Sequence, residues 1–83
     1  MSEKSRVRWL CRRGMKELDV LLERFVASDY DGLSENQVSE FIALLDEEDP
    51  DLYYMVMQRQ EPNNDIQAEL LDRIRQFQRP PGT

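Results

Sequence analysis

The chain has 83 residues, 17 acidic against 11 basic for a net charge of −6, one cysteine and no histidine. That length allows one small domain burying only about 60% of its unfolded surface, which leaves little room for a deep substrate pocket. Without histidine the usual general base and the commonest metal ligand are missing, so enzymatic chemistry and a metal site are not expected.

The basic residues cluster at the start. Lys4, Arg6, Arg8, Arg12, Arg13 and Lys16 face one acid, Glu3, in the first sixteen positions, and the remaining 67 residues carry a net charge of −11. Val7, Leu10 and Cys11, then Met15, Leu18, Leu22 and Phe25, follow helical spacing. The two sets stay in phase across Gly14, which allows either one kinked helix or two helices meeting at an elbow. If the helix ran through, Arg13 and Glu17 would form an i,i+4 pair in its weaker orientation, and Arg8, Arg12 and Lys16 a column of like charge. Gly14 inside such a helix would cost roughly 1 kcal/mol relative to Ala. Three locally unfavourable choices together point to stabilisation from elsewhere, by a tertiary contact or a partner. The acidic run Asp46–Asp51 is one candidate for that contact.

Asp29-Tyr30-Asp31-Gly32 is a turn cluster. Ser34 with Gln37 makes a capping box opening a helix that buries Val38, Phe41, Ile42 and Leu45. Asp49-Pro50 reads as a carboxylate N-cap followed by proline at the first helical position, with that helix running to about Gln60. Its six consecutive apolar residues, Leu52 to Met57, are either buried all round or form a Met- and Tyr-rich contact surface. Asn64 with Gln67 caps a last helix with the stripe Ile66, Leu70, Ile74 and Phe77, stopped by Pro80-Pro81. The sum is all-α: a compact bundle of about five short helices in one domain, residues 1–83, with 1–4 and 80–83 frayed.

Other chemistry is thinly represented. No glycine-rich phosphate loop is present and Cys11 has no CxxC partner. The Asp46–Asp51 run lacks the glycine and the twelfth-position glutamate of a calcium loop. Cys11 reads as a small core residue in a reducing compartment. No apolar run approaches 18 residues and no secretory h-region is visible, so neither membrane insertion nor export is expected. The acidic body would repel a phosphate backbone, which argues against nucleic acid as partner. Trp9 lies off the Val7–Cys11 stripe and is available as an exposed anchor.

With these residues laid out, the chain resembles the small flavinylation factors that assemble succinate dehydrogenase, the bacterial SdhE family with its mitochondrial relatives. The likeness spans nearly the whole chain. It rests on Arg13-Gly14-Met15-Lys16-Glu17 as the RGxxE motif, extended by Leu18-Asp19. Arg6 and Trp9-x-Cys11-Arg12 precede it, and Tyr30-x-x-Leu33-Ser34 and Asp49-Pro50-Asp51-Leu52 follow. Met15 and Lys16 fall at the motif's variable positions. The resemblance implies a bacterial cytoplasmic assembly chaperone, not an enzyme. Its client is the flavoprotein subunit of succinate dehydrogenase, often also that of fumarate reductase. It promotes covalent attachment of FAD to a histidine of that subunit.

A chain without histidine cannot itself be the flavin acceptor, so FAD belongs to the client and no cofactor is expected to stay on this chain. Gly14 is expected to let the client backbone approach closely, with Arg13 and Glu17 supplying charged hydrogen bonds to the client. Arg6, Arg8, Trp9 and Lys16 widen the contact, Asp19 and Asp49 orient the arginines from behind, and the free chain is expected to be monomeric. An acidic antitoxin or regulator neutralising a basic partner is the alternative. It leaves the basic arm that bears the motif without a role.

Overall fold

The computed structural model of the chain describes residues 3–78. Helix α1 covers Glu3–Leu10, α2 Lys16–Asp29, α3 Glu35–Leu45, α4 Asp49–Val56 and α5 Asp65–Arg75. A 3₁₀ turn at Tyr30–Gly32 joins α2 to α3, and no strand occurs among the described residues. The architecture is all-α with five short helices, and residues 11–15 separate α1 from α2 as two helices. The expected fraying at 80–83 and the Pro80-Pro81 stop lie outside the described residues. Glu3 and Lys4, also expected in a frayed end, form the first turn of α1. Lys4 pairs with Asp31 at 3.0 Å and the Tyr30 hydroxyl donates to Glu3 at 3.1 Å, tying that turn to the 3₁₀ segment.

Local chemistry explains most helix ends. Ser34 Oγ accepts from Gln37 N while Gln37 Oε1 accepts from Ser34 N, the reciprocal capping box expected there. Asn64 Oδ1 accepts from Gln67 N, capping α5. Helix α4 departs from expectation at both ends. Its N-cap is Glu48, without a side-chain cap bond, because the Asp49 carboxylate is engaged by Arg13. Its C-terminus falls at Val56, short of Gln60, because Gln58 turns to φ +63°. Gln58 N then donates to Met55 O and Arg59 N to Tyr54 O, the paired bonds of a Schellman ending.

Three helices, α2, α3 and α4, have no basic residue in their last turn, where a cation would favour the dipole and its free carbonyls. For α3 and α4 the cation comes from elsewhere in the chain. Arg75 of α5 donates to Val56 O and Met55 O at the end of α4, and Arg13 does the same for α3. These long-range caps tie an acidic body together with its few arginines.

Helix α5 is the hub, packing on α2, α3 and α4. Leu70, Leu71 and Ile74 are fully buried, as are Leu22 and Phe25 of α2 and Phe41 and Leu44 of α3. The Phe25 and Phe41 rings meet at 5.0 Å between centroids and 54° between planes, a favoured tilted contact. Leu71 and Leu44 were not on the expected stripes, whose outer members Ile66, Phe77, Val38 and Ile42 are only half-buried. Gln67 is buried yet satisfied: its amide donates to Glu40 and its carbonyl accepts from Asn63 N. The apolar run of α4 divides. Leu52, Met55 and Val56 enter the core, Tyr53 and Met57 lie at its edge, and Tyr54 stays 46% exposed.

Candidate functional site

The loop between α1 and α2 carries the residues singled out from the sequence, and its geometry follows from where α1 stops. With the helix ending at Leu10, the like-charge column Arg8–Arg12–Lys16 does not form, and Arg13 makes no pair with Glu17. Gly14 has φ +83°, a left-handed conformation that glycine adopts without penalty. It therefore terminates a turn rather than weakening a helix. A Cβ built on it would meet nothing within 4 Å, so no internal packing demands a glycine. The space above its backbone is open.

Arg13 is the centre of an internal clasp. Its Nε donates to Asp49 Oδ1 at 2.8 Å, Nη1 to Leu10 O at 3.1 Å and also to Leu45 O, and Nη2 to Glu47 O. One guanidinium thus joins the end of α1, the end of α3 and the start of α4, using the planar fork that only arginine provides. Its side chain is 11% exposed. Asp19 completes the loop from the other side: its carboxylate accepts from Arg13 N at 2.7 Å and Gly14 N at 3.2 Å. Glu17 and Asp19 in the first turn of α2 also complement its N-terminal dipole.

From the sequence, Arg13 is expected to offer hydrogen bonds to another protein. In the structure four of its five side-chain N–H groups are engaged within the chain, two of them with carbonyls at and just after the end of α3, which lacks a local cation. Of the two acids expected to orient arginines, Asp49 accepts from the Arg13 guanidinium, whereas Asp19 accepts only from the backbone N–H groups of Arg13 and Gly14. The three carbonyl partners were not foreseeable from side-chain types. The only signal for them is the missing basic residue in the last turn of α3.

Around the clasp lies a charged ridge of a different kind. Arg6, Arg8, Arg12, Lys16 and Glu17 are exposed, and among the described residues none of their side chains has an ion pair or hydrogen bond. Trp9 is 68% exposed. Arg8, Trp9 and Arg12 form one side of a cleft of about 260 Å³, with Asp19 and Glu23 opposite. That is below the roughly 300–1,000 Å³ typical of small-molecule pockets. Arg12 was not among the expected contact residues, although its place in the arginine series put it beside Trp9. Cys11 closes the cleft floor. Burial pushes its thiol up to about 12, outweighing the opposite pull of Arg13, so it is an unreactive core residue.

The arrangement suits binding. A notch, with open space over a glycine backbone, sits near exposed cations, an indole and a carboxylate that have no side-chain partner among the described residues. The chain is also similar to known proteins. Residues 5–78 match the family described as flavinator of succinate dehydrogenase. A protein of Legionella pneumophila (strain Paris) named FAD assembly factor SdhE is 48% identical over 73 residues, covering 88% of this chain and 91% of its own. Proteins of the same name from Vibrio vulnificus (strain YJ016) and Yersinia pseudotuberculosis serotype I are 44% and 40% identical. They cover 87% and 94% of this chain, and 84% and 85% of their own lengths.

Proposed function

Because this chain belongs to the family of succinate dehydrogenase flavinators, we propose that it acts through the notch at Gly14, docking there on the flavoprotein subunit of that enzyme. The chain is an FAD assembly factor and not an enzyme. It promotes covalent flavin attachment on another protein, and a chain that lacks histidine cannot carry a histidyl-flavin bond itself. FAD stays with the client. The observation that carries the site is the pairing of an open glycine at φ +83° with the Arg13 clasp next to it in the chain.

In this reading the residues divide by role. Gly14 admits the client backbone. Glu17 supplies a charge-assisted hydrogen bond to it, while Arg6, Arg8, Trp9 and Lys16 extend the contact, with Trp9 as its apolar anchor. Arg13, Asp19 and Asp49 are positioning residues that hold the notch from inside. Docking there fixes the flavoprotein subunit in the arrangement from which its own histidine bonds to the flavin. The proposal extends to fumarate reductase as a second client, to a monomeric free chain, and to the bacterial cytoplasm, where a lone thiol stays reduced.

The test is co-expression of the chain with the flavoprotein subunit, denaturation, and measurement of flavin fluorescence retained on the polypeptide band. Wild type is expected to give full incorporation, and Gly14→Arg background incorporation with near-normal helical content. Full incorporation with Gly14→Arg would refute the notch.

A further inference from the structure

A second surface begins where the ridge ends. Between α2, α4 and the end of α5 runs a groove of about 520 Å³, twice the volume of the cleft beside Trp9. Its walls are Val20 on one side and Tyr53, Met57 and Phe77 on the other. All four are half-buried, and the last three pack against the core with part of their apolar surface left over. The rim carries Lys16, Glu17 and Arg24. Lys16 has no partner among the described residues, and Arg24 donates only to a backbone carbonyl, Phe77 O.

We propose that this groove takes up an apolar segment of the flavoprotein subunit, with an acidic side chain of that segment at the Lys16–Arg24 rim. This rests on the docking reading above and extends it. The first argument is continuity: Lys16 and Glu17 are at once the shoulder of the Gly14 notch and the rim of the groove. A large protein seated on the notch therefore overlies the groove mouth. The second is composition. A stable interface covers about 800 Å² per partner around a largely apolar centre. The ridge is charged, with Trp9 alone as a large exposed apolar side chain. The groove supplies the missing apolar area on a molecule whose whole surface is 5695 Å². The third is charge: two cations against one acid on the rim favour an acidic residue in the occupant.

The test places a benzoylphenylalanine photo-cross-linker at Val20 in the full chain and, separately, at Arg12 on the ridge. Each is irradiated with the purified flavin-free flavoprotein subunit. Both are expected to cross-link to that subunit, with the Val20 adduct mapping to an apolar stretch that contains Asp or Glu. Capture from Arg12 without capture from Val20 overturns the groove and leaves the notch standing. An adduct from Val20 to residues 79–83 of its own chain, or to a second copy, overturns it as well. Capture from neither position overturns both. Independently, Val20→Asp is expected to weaken binding at least tenfold with an unchanged thermal melt, and unchanged affinity overturns the proposal.

Discussion

Arg12 and Arg13 are neighbours with the same side chain in opposite circumstances. Arg13 is nearly sealed, and its donors meet one carboxylate and three carbonyls. Arg12 is exposed, with no side-chain partner among the described residues. The difference lies in what the backbone ends nearby require. A helix terminus without a local cation draws in an arginine, and the arginine it does not need is left for something outside the chain. Within one motif, Arg13 holds three helix ends together while Arg12 stays exposed, and the proposed docking site rests on that division.

Arg13→Ala should test that division most severely. It strands part-buried acceptors and should lower stability by about 3 kcal/mol, a fall in Tm of roughly 12 °C or more for a chain of this size. Arg13→Lys should recover less than half, since an ammonium cannot span three helix ends. A Tm within a few degrees of wild type by circular dichroism would erase the distinction between clasp and ridge.

Gly14 stands between the two regions, and two substitutions separate its roles. Gly14→Ala and Gly14→Arg should each cost about 1 kcal/mol, the strain of a side chain at positive φ. Only the arginine fills the open space above the backbone. Denaturant melts should therefore show similar losses, while covalent flavin incorporation persists with alanine and disappears with arginine.

On the ridge the order of effects reverses. Arg8→Glu with Arg12→Glu should change stability by less than about 0.5 kcal/mol, yet weaken binding to the flavoprotein subunit at least tenfold and reduce its salt dependence. Titration at two ionic strengths checks both.

The smallest effect at neutral pH concerns Cys11, between the two arginines and the core. Its folded pKa is raised from 9.0 to about 12 by burial, so the folded state holds the proton to higher pH than the unfolded one. Its contribution is complete below pH 9 and is lost as pH climbs toward 12. Tyr30, raised from its ordinary 10.0 mainly by burial and then by the bond to Glu3, acts in the same direction. Unfolding free energy should thus decline above pH 9, and Cys11→Ala should flatten part of that decline. Native protein at pH 8 should react with a thiol reagent only after denaturant is added.

Much of this was legible in the residues. The Ser34–Gln37 box, the Asn64 cap, five helices and the exposure of Trp9 all follow from local chemistry or period, which act over a few positions. The motif drew notice because it violates helical rules, and the violations vanish once α1 stops at Leu10. Gly14 and the arginine series are unfavourable only in a helix that is not there. What could not be read was the destination of Arg13. Three of its four side-chain partners lie more than thirty positions away, and two of those are backbone carbonyls, which no side-chain pattern announces. The early ending of α4 was hidden for a related reason: Gln58 takes a left-handed turn that its residue type does not advertise.

Because the clasp joins residue 13 to residues 45–49, it closes a loop of more than thirty residues, and that closure carries an entropic penalty repaid only when both ends are already structured. The contacts that shape the Gly14 loop therefore depend on α3 and α4 being in place. A partly unzipped chain, with α3 or α4 displaced, loses the carbonyl and carboxylate partners that hold Arg13 and with them the shape of the loop at Gly14.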